Sequence, residues 1–315
     1  NGEYAYKSSG PTASNHYIYS PGSVAMLSTS YSRKGLSLLL QAKRSENFNF
    51  LSARSSVGTP LHINHLPAFT ANHTYTLAAL YPYATQPDGE WAFQGDFRYT
   101  IPRGSLLGGK YGTGIRVNYA HVRGLKNVGT DRLPLDAPEK DLYGTDGYSH
   151  PFFGMGQLYY SDLNIELSKK FSRTVSVAFN YYHQIYNQQV VEGHAINNPL
   201  VYSNIFVLDG KFKLAPNYTL RTELQYLNSR QAEGSWLFGL AELSIAPKWM
   251  ISLSDQYNMT VTKQHYYMGT VAYSAGNHRV QLGYGRTRAG INCSGGVCRY
   301  MPETKGIYLT YNGTF

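Results

Sequence analysis

The sequence predicts an all-β protein, one antiparallel up-and-down sheet of about fourteen strands closed into a barrel. Three observations predict it. Apolar and polar residues alternate with a period of two through most of the chain; the alternating stretches run about ten to fourteen residues; and the last of them, Thr304-Lys-Gly-Ile-Tyr-Leu-Thr-Tyr-Asn-Gly-Thr-Phe315, ends on an aromatic residue. A period of two puts alternate side chains on opposite faces of a strand. Soluble sandwiches show the same alternation in strands of about five or six residues. The doubled length fits strands that cross a bilayer on a tilt, so the barrel is read as transmembrane and of the bacterial outer-membrane type.

In chain order, residues 1–22 form an N-terminal segment, strand-like or partly irregular, and 23–315 form the barrel. Strands are placed at 23–33 and 36–47, around the Arg33-Lys-Gly35 turn, and at 73–81. At 90–101, Trp91, Phe93, Phe97 and Tyr99 oppose Gln94, Asp96 and Arg98, and a strand at 112–123 follows. At 156–170, Leu163, Ile165 and Leu167 oppose Asp162, Asn164 and Glu166; at 174–187, Val175, Val177, Phe179 and Tyr181 oppose Ser176, Ala178 and Asn180. A strand at 202–213 leads to 217–229, where Tyr218, Leu220, Leu224 and Tyr226 alternate with Thr219, Arg221, Glu223 and Gln225. Strands at 234–246, 249–261 and 265–275 come next. The last two are 278–289, with Val280, Leu282 and Tyr284 on one face, and 304–315, with Ile307, Leu309, Tyr311 and Phe315 on one face.

The connections alternate as well. Phe171-Ser-Arg, Ala215-Pro-Asn, Pro247-Lys-Trp and Ser274-Ala-Gly-Asn are tight turns, while 124–155, 188–200 and 289–303 are long. Short periplasmic turns and long outer loops are what such barrels show. Two features fit badly. Counting sides back from Phe315 puts the Arg33-Lys-Gly35 turn outside and 48–72 on the periplasmic side, so that segment folds inward or a strand near 60–68 has been overlooked. Asp255 falls on the apolar face of its strand, which a β-bulge would correct.

Composition agrees with this reading. The chain has 29 tyrosines among 315 residues, only 15% charged residues, and a mean hydropathy of −0.36. No run of 18 or more apolar residues exists, so no helix is expected to cross a membrane. Tyrosine suits the two interfacial girdles of a barrel, with its ring in lipid and its hydroxyl in water. The net charge of +9 comes from Lys and Arg scattered singly, which argues against nucleic acid and for anionic lipid headgroups or anionic solutes. The chain opens at Asn1-Gly-Glu-Tyr without a signal peptide, which is either cleaved or precedes a chain that is the C-terminal portion of something longer. Cys293 and Cys298 flank Ser-Gly-Gly-Val; a small loop-closing disulfide in an oxidising compartment is one reading, and two free thiols the other.

Three stretches, Thr76-Leu-Ala-Ala-Leu-Tyr-Pro-Tyr-Ala-Thr-Gln-Pro-Asp-Gly-Glu90, Gly108-Gly-Lys-Tyr-Gly-Thr113 and Val297-Cys-Arg-Tyr-Met-Pro-Glu-Thr-Lys-Gly306, carry a resemblance. From about residue 20 to the end, the chain resembles a family of Bacteroidota outer-membrane β-barrel proteins with no assigned function. The resemblance implies the fold and an outer-membrane location, and brings no catalytic residues. Members are longer at the N-terminus, which implies strands before residue 1, so 304–315 is expected to pair with a strand outside this numbering; the alternative is pairing with 23–33 or an N-terminal segment before it, which would close the barrel at about fourteen to sixteen strands. Gly306, Leu309, Tyr311 and Phe315 also look like the signal that outer-membrane barrels present to their assembly machinery.

The polar face offers lumen-lining candidates of both signs: Asp96, Arg98, Arg116, Asp162, Glu166, Lys211, Arg221, Glu223, Glu242 and Arg279. They read either as a charged constriction that selects solutes or as ion pairs that fill the interior. Leu220 and Leu282 are expected in lipid, where Arg costs most, and Gln225 in the lumen, where Arg is expected to cost far less. His183, His194 and His265 lie near outer strand ends, where a rim hydrolase would need a base, but no nucleophile motif accompanies them. Five carboxylates at 129–149, Asp131, Asp136, Glu139, Asp141 and Asp146, match no calcium loop. No catalytic residues, metal or cofactor are expected. The function expected is a porin-like or gated channel for small polar solutes, with a non-transport subunit of an outer-membrane assembly second and a barrel hydrolase third. Outer-membrane lipid, lipopolysaccharide, the barrel assembly machinery and other outer-membrane subunits are the expected partners.

Overall fold

Alternation becomes strand wherever both faces of the sequence have somewhere to go, and in the computed structural model it does so fourteen times in one sheet. The structure describes every residue except 13, 14, 16, 18, 56–61, 87–88, 127–150, 194, 295–296 and 315, with the backbone alone over 291–294 and 297–299. The strands are β1 (Gly2–Lys7), β2 (Gly22–Arg33), β3 (Leu36–Glu46), β4 (Gly89–Ile101), β5 (Thr113–Leu125), β6 (Met155–Lys170) and β7 (Val175–Asn187). A five-residue helix α1 (Gln188–Glu192) precedes β8 (Leu200–Ala215), β9 (Tyr218–Ser229), β10 (Trp236–Ile245), β11 (Trp249–Asn258), β12 (His265–Ala275) and β13 (His278–Thr287). A separate two-stranded ribbon, β14 (Gly290–Ser294) with β15 (Val297–Met301), then leads into β16 (Thr304–Gly313).

Every pairing is antiparallel between successive strands, from β1 through β13 to β16. Leu309 pairs with Leu282 of β13. Among the described residues β1 and β16 each have one hydrogen-bonded neighbour, so the sheet has two edges.

The sheet is strongly curled. Buried side chains from β4 to β10 and from β12, including Ala92, Val122, Tyr160, Tyr186, Val201, Leu227, Trp236 and Tyr266, form one cluster, with Met26 of β2 packed against it. Laid flat, the eleven strands from β2 to β12 would spread over about 48 Å at the usual inter-strand spacing. Only a curled sheet lets them share a core.

The region expected as a strand at 73–81 is not one. Ala79 N–H donates to the Tyr75 carbonyl and Leu80 N–H to Leu77, so this stretch is built of turns. Its apolar residues Leu77, Ala78, Leu80 and Tyr81 recur at helical rather than strand spacing, and all four are buried. Removing that strand also cures the side count. The connections at 34–35, 102–112, 171–174, 216–217, 246–248 and 276–277 now share one end, and the remaining ones, among them the longest at 47–88 and 126–154, share the other. Gly35 and Gly276 supply the left-handed backbone that two of the tight turns require (φ 80° and 56°).

Asp255 stays on the outer face without a bulge, because the register of β11 is continuous with both neighbours. It is accommodated by a partner instead: His265 Nδ1 lies 2.7 Å from its Oδ2 near the long-loop end. The rest of that face is an apolar band. Leu253, Val271, Leu282 and Leu309 are exposed at mid-strand, with Trp249, Tyr218 and Tyr311 toward the short turns and Tyr226, Tyr267 and Tyr284 toward the long loops. Soluble monomers rarely expose apolar patches beyond a few hundred Å².

Candidate functional site: the inner face and its inserted segment

Direct cross-strand neighbours on the inner face are often of like charge, and the structure neutralises them along diagonals. Arg98 stands opposite Arg116. Asp96, one step along β4, accepts from Arg98 Nε at 2.7 Å, Arg116 Nε at 2.8 Å and Asn118 Nδ2 at 3.0 Å. Asp209 stands opposite Glu223, and Arg221 joins them. It donates to both Asp209 oxygens, at 3.2 Å and 3.0 Å, and also pairs with Glu223. Like charges directly opposite destabilise a sheet, so these two knots are what permit charge here.

The other candidates are placed differently. Asp162 is fully buried. Glu166, opposite Arg116 and Asn180, and Glu242, opposite Arg221 and Ser252, lie on the same inner face. Arg279 donates to Gln281 Oε1 at 3.2 Å. Lys211 is exposed on the inner face, opposite Ser176 and Arg221. Gln225, expected to tolerate Arg, is 2% exposed and hydrogen-bonded on both sides, so that expectation is corrected: it is enclosed rather than bathed in water.

What encloses it is residues 62–86, which fold inward from the long-loop end. His73 Nε2 lies 2.6 Å from Asp162 Oδ2. The Tyr75 hydroxyl donates to Asp209 at 3.2 Å and accepts from Asn180 Nδ2 at 3.3 Å. Leu77 N–H donates to Gln225 Oε1 at 2.8 Å, and Gln184 Nε2 donates to the Ala78 carbonyl at 2.9 Å. Behind these, Lys43 of β3 reaches the Pro67 carbonyl, the Thr85 hydroxyl and Glu90, and Tyr83 donates to Glu90 at 2.5 Å. Burial first, then the neighbouring carboxylate, raises the Tyr75 and Tyr83 phenols well above their usual range, which keeps both as donors. Sequence reasoning did not find this network. The helical spacing of Leu77, Leu80 and Tyr81 was the available signal.

The inserted segment fills the long-loop half and leaves the short-turn half open. Two adjoining concavities of about 420 and 530 Å³ share Thr100, Gly114 and Ser168 on the inner face there. Charge is segregated to match. The short turns and the strand ends they join (30–37, 99–113, 168–177, 211–221, 243–251 and 273–281) contain Arg33, Lys34, Arg103, Lys110, Lys169 and Lys170. They also contain Arg173, Lys211, Lys213, Arg221, Lys248 and Arg279 and no Asp or Glu, with Glu242, directly opposite Arg221, at their border.

His183 Nδ1 lies 3.0 Å from Asn204 Oδ1, and His265 contacts Asp255 as described. His194, the acidic loop 129–149 and Phe315 lie outside the described residues, as do the side chains of Cys293 and Cys298, whose backbones stand directly opposite in the ribbon. Gly306, Leu309 and Tyr311 lie on β16 at one edge of the sheet.

A family model described as a family of unknown function (DUF6029) matches residues 1–315. The chain belongs to this family. No curated protein matches the chain. Two solved structures of the ferric enterobactin receptor from Pseudomonas aeruginosa, one a mutant bound to enterobactin and one bound to a different ligand, match at 11% identity and a TM-score of 0.36. Each alignment covers 93% of this chain and 55% of the receptor, so this DUF6029 chain spans about half the length of those structures.

Proposed function

We propose that this chain forms the wall of an outer-membrane β-barrel and passes small polar solutes through a lumen gated by residues 62–86. An apolar band edged with aromatic rings faces outward, and a hydrogen-bonded, charged face turns inward, which is the division a lipid-embedded barrel requires. The observation that carries the gating is the inserted segment. It closes the long-loop half while open cavities lie beneath it, and it is tied to β6, β7, β8 and β9 by four hydrogen bonds and one His–Asp contact, and to β3 and β4 through Lys43 and Glu90. The polar ties contribute about 1 kcal/mol each and can exchange for a solute or water, while the buried Leu77, Ala78, Leu80 and Tyr81 hold the segment closed most of the time.

Planar-bilayer recording of the native protein tests this. Brief openings are expected from the native protein, and stable unitary currents once residues 66–85 are replaced by a short Gly-Ser bridge. Silence from both proteins would overturn transport.

A second reading, a barrel subunit that completes a larger outer-membrane assembly, is supported by large apolar side chains beyond the band. Phe153 is 81% exposed at the long-loop rim, and Leu106 is 98% exposed on a short turn. Silence in the bilayer together with a stoichiometric co-purifying subunit would favour this reading.

A further inference from the structure

We propose that the short-turn mouth of the inner face is a binding site for small, multiply charged anions bearing phosphate or carboxylate groups, built on the row Lys170–Ser176–Lys211–Arg221. The register makes these residues successive direct partners: Lys170 opposite Ser176, Ser176 opposite Lys211, and Lys211 opposite Arg221. All four point inward, so three cations and a hydroxyl share one rung about 14 Å long at the usual strand spacing.

Beyond Arg221 the rung continues to Glu242, so its arginine end is answered by Asp209, Glu223 and Glu242, while its lysine end has no carboxylate partner among the described residues. Arg98 against Arg116 is neutralised by Asp96, and Asp209 against Glu223 by Arg221. Arg221 is thereby already engaged with both of its carboxylates. Lys211, directly opposite it, makes no hydrogen bond or ion pair among the described residues. The Lys170 ammonium lies 5.4 Å from the centre of the Tyr111 ring and makes no ion pair among the described residues. Lys170 and Lys211 thus share one end of the rung without a carboxylate of their own, and like charges gathered in this way cost stability unless an anion joins them.

The space for one is present. The concavity of about 530 Å³ is lined by Tyr111, Ser168, Lys170, Ser176, Lys211 and Arg221, with Asp209 turned to Arg221. That volume suits a small solute, the hydroxyls of Ser168 and Ser176 can donate to its oxygens, and lysine serves phosphate as a mobile point charge. Around the mouth, the carboxylate-free short turns add a positive field that draws anions toward the rung.

This inference rests on the inner face being a lumen, and it names the solutes that the channel favours. Calorimetric titration of the detergent-solubilised native protein with inorganic phosphate and with citrate is the test. Saturable binding is expected, weakened roughly tenfold by Lys211→Gln or Lys170→Gln, as the loss of one charge-assisted hydrogen bond predicts. Lys248→Gln removes the same charge from the same end but away from the rung, and is expected to leave affinity unchanged. No binding by the native protein, or equal weakening by all three variants, would overturn the site. Repeating the titration in nanodiscs of zwitterionic and of anionic lipid separates soluble anions from headgroups: equal affinity supports the proposal, and loss of binding in anionic lipid contradicts it. Bilayer silence with phosphate binding intact would end the channel reading and leave this site standing.

Discussion

Arg221 holds together two carboxylates that the register sets face to face, and the same logic at Asp96 holds two guanidiniums. Replacing Arg221 with Met is expected to destabilise the protein by about 1–3 kcal/mol in reversible unfolding from lipid, because Asp209 and Glu223 lose their shared donor. Glu223→Gln on that background is expected to recover part of the loss; no recovery would mean that packing rather than charge was lost. On the outer face, Leu282 is 54% exposed, and Leu282→Arg is expected to cost about 2–4 kcal/mol near the midplane. Its inward neighbour Gln281→Arg is expected to cost far less, and equal costs would contradict the division of faces. Alternation alone told which residues share a face. It could not tell which of them pair, because the diagonal contacts depend on register and strand stagger, nor that Gln225 is covered, because the cover comes from 148 residues away in sequence.

At the scale of elements, the long strands were legible because each has a wet face and a dry one, and thirteen of the expected strands begin and end within about two or three residues of the observed ones. The fourteenth, at 73–81, was misread. Tyr75 and Leu77 mimic alternation, but Leu80 and Tyr81 continue it at helical spacing, and Leu77, Ala78, Leu80 and Tyr81 are buried against the sheet instead of being paired within it. β1 falls in the N-terminal segment expected to be strand-like or partly irregular and left out of the count of fourteen, since six residues of Tyr-rich sequence are too short to show a period with any force. The ribbon β14–β15 arises inside what read as a loop, and its register sets Cys293 opposite Cys298. A disulfide there is expected, contributing about 2 kcal/mol at most for so small a ring. Mass spectrometry of the non-reduced protein should find the pair two hydrogens lighter than the reduced form, and two alkylatable thiols would refute it.

For the whole molecule, two asymmetries are superimposed on one sheet. Across its thickness it is apolar outside and polar inside; along its axis it is filled and of mixed charge at the long loops, open and basic at the short turns. The first follows from the period of two and was readable from sequence. The second was not, since the basic residues are scattered singly along the chain and gather only when every short turn falls at one end. Both meet at residues 62–86, where the filled half ends, and the gate is therefore the place to measure. In a Cys293→Ser, Cys298→Ser background, cysteines introduced at Ala78 and Gln184, where the Gln184 side-chain amide donates to the Ala78 carbonyl at 2.9 Å, can lock the segment to β7. Planar-bilayer conductance is expected to vanish on oxidation and to return on reduction. The same conductance in both states would contradict a gate formed by this segment.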